Sequence, residues 1–275
     1  MNTNIQMIAC DLDGTLLRPD KHLSPLTKET LRRVHEAGVL ITICSGRPFY
    51  SVQRIFQGVP FDYACCGNGQ SVYDHEGNAL MVKPGLSAGQ ISELLTLMRS
   101  YPVMLNFSIG THFYHTASRK HFVLIRFFEA VNAFVETVFR HHTFHRTVIP
   151  LEKVHIDSCE KFCFAGTYRV LKKIAARLDP SVYSAVFVSK NWLEIQPAGI
   201  SKGSALAFVQ AETGIAPAHC AAIGDGENDL SMFAYAGMKI AMGNAMAAVK
   251  QKADITVSSC IKDGAARWMT AAILD

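Results

Sequence analysis

Asp11-Leu12-Asp13-Gly14-Thr15 decides how the rest of the chain is read. Before it, Ile5-Gln6-Met7-Ile8-Ala9-Cys10 is a short apolar run of the kind that forms a buried parallel strand. Two carboxylates one residue apart therefore leave the carboxyl end of a strand, and Gly14 lets the backbone turn sharply after them. In an open α/β sheet that edge is where ligands bind. The pentapeptide alone is equally readable as a polar strand-to-loop turn, since Asp and Gly are common turn residues. It is not an EF-hand calcium loop, because Leu16 stands where Gly is needed and His22 where Glu is needed.

Working outward, Ser24-Pro25 reads as the cap and first residue of a helix that carries Leu31 and Val34 on one face and stops at Gly38. Residues 39–44 form a second buried strand, ending in Ser45-Gly46-Arg47-Pro48. A right-handed crossover sets this strand beside the first, so Ser45 and Asp11 share one sheet edge. Residues 61–66 read as a third strand, followed by a hairpin at 71–73 and 79–82. Gly67, Gly69 and Val72 echo a dinucleotide fingerprint, but they open a hairpin instead of the helix that fingerprint requires.

The character changes at Lys83-Pro84-Gly85. From there the pattern predicts a helix over 91–98, strands at 103–107 and 186–188, and a Phe-rich amphipathic helix over 124–139. His112, His115, His121, His141, His142 and His145 lie among basic residues, as a solvated basic face or as a lid surface that attracts phosphorylated substrates. The first character returns after Gln196-Pro197-Ala198-Gly199. Ser201 caps a helix with Leu206 and Val209 on its apolar face, and a short strand at 221–223 runs into Gly224-Asp225-Gly226-Glu227-Asn228-Asp229. A helix over 230–236 and strands at 239–242 and 255–257 complete the pattern. Asp225 opens no EF-hand either, because Leu230 and Ala236 occupy the diagnostic positions. The expected fold is α/β: a doubly wound, mostly parallel, Rossmann-like sheet core from residues 1–84 and 197–275, with an α+β domain inserted at 85–196.

Composition excludes several classes. At 275 residues, 49% hydrophobic and 18% charged, the chain is an ordinary globular protein with room for one large core or two smaller ones. No apolar run is long enough to span a bilayer, and Met1-Asn2-Thr3-Asn4 lacks a secretory signal, so the expected setting is cytoplasmic, with no membrane partner. A net charge of +4 favours anionic ligands mildly and does not argue for nucleic acid. Eight Cys form no regular framework, and His155, Cys159 and Cys163 lack the CxxC pair that would support a zinc site. The sequence says nothing of oligomeric state.

Four stretches converge on one sheet edge: Asp11 with Asp13, Ser45-Gly46, Lys202, and 225–229. In this order, each at a strand mouth or a helix start, they resemble the haloacid dehalogenase-like superfamily, in its Cof-type group of phosphatases with a type IIB cap. The stretches carrying the resemblance are 11–17, Ser45-Gly46-Arg47, Ile200-Ser201-Lys202-Gly203 and 224–232. Ser45 stands where Thr is often seen and keeps the hydroxyl. The inserted domain is matched only by placement and length.

The resemblance implies a phosphatase for small phosphorylated metabolites, sugar phosphates among them. Asp11 would be the nucleophile that forms an aspartyl-phosphate, and Asp13 the acid for the leaving oxygen and the base for the attacking water. Leu12, Ser45, Gly46, Lys202 and Asn228 would hold the phosphate oxygens. Four carboxylates against one ammonium cannot accept a dianion without a cation, since each like-charge pair near 4 Å costs about 4 kcal/mol at an effective dielectric of about 20. All-oxygen ligands suit Mg²⁺. The family pattern places it on the Asp11 carboxylate, the Asp13 backbone carbonyl and the Asp225 carboxylate, with Asp229 behind them. A phosphomutase gripping a second phosphate with Arg119, Lys120 or Arg126 and a catalytically silent phosphate binder are the alternatives. Arg47 either pairs within the core or touches substrate.

Overall fold

A computed structural model describes residues 4–109, 112–117, 146–148 and 156–275. The chain divides into two units, Met1–Lys83 with Gly199–Asp275, and Pro84–Ala198. Among the described residues no helix is long and apolar enough to cross a membrane.

The first unit is built on β1 (Met7–Cys10), β2 (Leu40–Cys44), β3 (Tyr63–Cys66), β4 (Ser71–Asp74) and β5 (Ala79–Val82). The second unit contributes β6 (Leu86–Ser87), β7 (Met104–Ile109), β8 (His112–Ala117), β9 (Arg146–Val148), β10 (Ser158–Cys159), β11 (Phe162–Ala165), β12 (Tyr183–Ser189) and β13 (Trp192–Pro197). The chain then returns to the first unit with β14 (Cys220–Gly224), β15 (Met238–Ala241) and β16 (Ile255–Thr256).

In the first unit the sheet order is β16-β15-β14-β1-β2-β3-β4-β5. The strands from β16 to β3 are parallel, and the hairpin β4–β5 continues the sheet antiparallel. The doubly wound expectation therefore holds. Every residue of β1 is buried, because both faces of a parallel sheet are covered. The chain builds outward from β1 first through β2 and β3, then after the insertion through β14 and β15. The strand order thus reverses beside β1, the crevice where ligands bind in such sheets. Register fixes the level: Cys10 aligns with Ile43 on one side and Ile223 on the other, so Asp11, Ser45 and Asp225 emerge from the sheet together.

Local chemistry sets the element ends. Ser24 Oγ accepts from the Thr27 amide at 3.0 Å, Pro25 opens the helix Pro25–Glu36, and Thr27, Thr30, Leu31 and Val34 form its buried face. Among the boundaries that differ from the sequence reading, two have a visible cause. The third strand starts at Tyr63, because the Asp62 carboxylate accepts from the Ile41 amide at 2.7 Å and turns the chain there. The helix after Asp229 is only Leu230–Phe233: Tyr235 and Ala236 bond back three residues, and the Gly237 amide is drawn to Pro217 and Cys220 carbonyls.

In the second unit the sheet order is β12-β13-β11-β7-β8-β9, with β6 and β10 as a separate pair. Leu105, Phe107, Phe162, Phe164, Leu193 and Ile195 recur at alternate positions. They pack with Ile91, Leu94 and Met98 of the helix Ala88–Arg99 and with Leu171 and Ile174 of the helix Tyr168–Ala175. The helix expected over 124–139, residues Arg119, Lys120 and Arg126, and His121, His141, His142, His145 and His155 lie outside the described residues. Cys163 Sγ points to Glu194 Oε1 at 3.7 Å.

Candidate active site

Lys202 is the centre of the site. It is the first residue of the helix Lys202–Thr213, which Ser201 and Ser204 close with a reciprocal capping box. The helix start faces the sheet edge, and the ammonium is completely buried, 2.6 Å from Asp11 Oδ1 and 2.7 Å from Asp229 Oδ1. Burial works against the charged form, but the two carboxylates outweigh it and hold Lys202 protonated far above its ordinary range.

Asp229 spends its other oxygen on the backbone. Oδ2 accepts from the Asp225 amide at 2.8 Å and the Gly226 amide at 2.9 Å. A side chain on Gly224 would fill the space this carboxylate occupies. Both Asp229 oxygens thus have protein partners, so the residue shapes the loop and fixes Lys202. Asp11 differs. Its Oδ2 is buried without a hydrogen-bond partner, as is the hydroxyl of Thr15 a turn later.

Asp225 leaves β14 opposite Gly14. Gly14 is left-handed (φ 87°), and any Cβ there would strike the Asp225 carboxylate. Burial and then Asp229 push the Asp225 carboxyl up to about 7, while Lys202 and Asn244 pull the other way. Asp11 is likewise pushed up by burial, lowered by Lys202, and raised again by Asp229 and Asp225, with a net upward direction. One oxygen from each of Asp11, Asp225 and Asp229 falls within 4.8 Å of the others. Three buried or half-buried carboxylates share one ammonium, and the donor set is oxygen only. That chemistry fits a divalent cation.

Asp13 faces a different set of partners. Arg47 grips it as a fork, Nε to Oδ2 at 2.6 Å and Nη2 to Oδ1 at 2.8 Å, and Lys21 Nζ adds a third contact to Oδ1 at 2.8 Å. Burial would raise Asp13, but these cations hold it well below the usual carboxylate range. Arg47 therefore pairs within the core. The charge count also changes, because Arg47 and Lys21 compensate Asp13 and leave the deficit on the other three carboxylates.

The remaining candidates lie at the same edge. Ser45 is buried, and its Oγ accepts from the Arg47 amide at 3.2 Å. Leu12 is buried and Gly46 half-buried. Asn228 donates to Asn68 Oδ1 at 3.2 Å, so Asn68 belongs to this edge as well. The sequence reading missed Lys21, Asn68 and Asn244. Asn68 and Asn244 carried a usable signal, each placed just beyond the carboxyl end of a parallel strand, β3 and β15.

A family model for haloacid dehalogenase-like hydrolases matches residues 8–269. The chain belongs to that family. Its sequence is 31% identical over 252 residues to an HMP-PP phosphatase from Serratia proteamaculans, covering 89% of this chain and 86% of that relative. An HMP-PP phosphatase from Escherichia fergusonii is 30% identical over 245 residues, covering 88% and 85%. A haloacid dehalogenase superfamily phosphatase from Bacteroides thetaiotaomicron shares the fold with a TM-score of 0.79 at 24% identity, over 98% of this chain and 95% of that one. A subclass IIB sugar phosphatase shares it with a TM-score of 0.77 at 19% identity, over 97% and 98%. Relatives named as phosphatases give no support to the mutase or the silent binder.

Proposed function

We propose that this haloacid dehalogenase-like hydrolase is a Mg²⁺-dependent phosphomonoesterase for small phosphorylated metabolites, sugar phosphates among them. The observation that carries the reading is the Asp11 carboxylate, buried at the strand-order reversal with one oxygen on Lys202 and the other without a protein partner. In this reading Asp11 and Asp225, with the Asp13 carbonyl, hold the cation, which neutralises phosphate charge. Asp229 positions Lys202 and takes no direct part.

The chemistry then follows from the chain's own groups. Asp11 attacks phosphorus, the bond to the leaving oxygen breaks, and Asp13, which must first take a proton from solvent against the pull of Arg47 and Lys21, gives it to that oxygen. Water next attacks phosphorus of the aspartyl-phosphate, Asp13 takes its proton, and the bond to Asp11 breaks to release phosphate. The Arg47 fork and Lys21 orient Asp13 and keep it ionised, the form the second step uses. Ser45, Lys202, Asn228 and the Leu12 and Gly46 amides cradle the phosphate oxygens, where charge builds up. The unit Pro84–Ala198 acts as the cap that discriminates among leaving groups.

A panel of phosphomonoesters assayed for phosphate release with Mg²⁺, and again with EDTA, tests this. Release that needs Mg²⁺ and vanishes in Asp11→Asn, with the fold intact by circular dichroism, is the expected result. Unchanged turnover by Asp11→Asn would remove the assignment.

A further inference from the structure

Asn244 ties three loops of the first unit with a single amide. Its Nδ2 donates to the Gly14 carbonyl at 2.8 Å and to Asp225 Oδ2 at 3.0 Å. Its Oδ1 accepts from the Cys260 amide at 2.9 Å. A carboxylate is free to rotate about its last bond unless an oxygen is held. Here Asn244 holds Asp225 Oδ2, Gly14 packs against the same group, and the Asp225 amide is pinned to Asp229. The chemistry of the bridge is specific. An amide nitrogen has two protons to give, and its oxygen still accepts from a third segment. A lysine or arginine at this place would neutralise Asp225 and compete with a cation, whereas another carboxylate would repel it.

We propose that Asn244 is the positioning residue that aims the Asp225 carboxylate at the divalent ion, linking the loop after Asp13 and the segment around Cys260 to that aim. The proposal rests on the metal reading above. Changing a residue that orients a metal ligand typically costs about 10–100-fold in affinity for the ion or in activity.

The test is Mg²⁺ binding to the full-length protein by isothermal titration calorimetry without substrate, beside steady-state kinetics. Asn244→Ala should bind Mg²⁺ at least about tenfold more weakly than wild type. At saturating Mg²⁺ its kcat and its KM for substrate should return to within about twofold of wild type, because the ligand itself is intact. Asn244→Ser, which keeps one short donor, should fall between the two, and it is read the same way if Asn244→Ala melts below the assay temperature. Unchanged Mg²⁺ affinity in Asn244→Ala, while Asp225→Ala abolishes binding, would overturn the role of Asn244 and leave the metal reading standing. A kcat loss that excess Mg²⁺ does not restore would overturn it too. Wild-type protein that binds no Mg²⁺ would overturn the metal reading itself.

Discussion

Asp13 is held by three cationic contacts, a planar fork on both oxygens and an ammonium on one of them. Its folded form is therefore ionised far into acid. The sign of the consequence is fixed. A carboxylate whose folded pKa is depressed contributes stability that is fully present above its unfolded value of about 4 and is lost as pH falls through the folded value. The urea midpoint of the wild type should fall as the pH is lowered below about 4, and Lys21→Ala combined with Arg47→Ala should flatten that fall. Parallel profiles would show that Asp13 does not carry the acid limb. The Asp13 side chain is 37% exposed, so solvent screens part of the effect. The position of Arg47 at this edge was legible, two residues beyond Ser45. Its choice of Asp13 was not, because side-chain direction is set by packing that spacing does not record. Lys21 was illegible for a related reason: it reaches Asp13 through a left-handed residue (φ 66°) in an irregular loop.

The helix Lys202–Thr213 converts a capping motif into a charge placement. Ser201 and Ser204 fix the first turn, Gly203 allows the Ser231 backbone to approach, and Lys202 is thereby directed between Asp11 and Asp229. The helix start was readable in sequence from Ser201, since caps are local chemistry. The burial of Lys202 followed from no local rule and was legible only through its partners in three distant stretches. Lys202→Met keeps the volume and removes the charge, leaving two carboxylates facing each other out of water. Breaking a buried pair in this way costs about 3–5 kcal/mol. Urea denaturation should show a loss of that order. A loss below about 1 kcal/mol would mean that the buried contacts of Lys202 do not hold the fold. The loss should also be smaller when Asp11→Asn is already present, since the two sites share one interaction.

Across the whole molecule, the fold was legible because its signals are periodic and repeat at both ends of the chain. Apolar runs followed by turn residues mark each parallel strand, and the strand-order reversal at β1 follows from their sequence order. The second unit resisted the same reading, because its strands are mixed in direction and its polar residues carry no motif. The two crossings between units are close in the first unit: Lys83 Nζ donates to the Gly199 carbonyl at 3.1 Å and to Ser204 Oγ at 3.3 Å. A short Gly-Ser linker replacing 84–198 can therefore join Lys83 to Gly199 without opening the eight-stranded sheet. If the first unit holds all of the chemistry, the linked form should bind Mg²⁺ and hydrolyse an activated aryl phosphate. It should also lose its preference among sugar phosphates, because discrimination is assigned to the removed unit. Side-by-side kcat/KM values for both substrate kinds, full chain against linked form, decide it. A linked form that binds Mg²⁺ yet still ranks sugar phosphates as the full chain does would place discrimination in the first unit. The loops around Asp13 and Arg47 would then be the place to look for it.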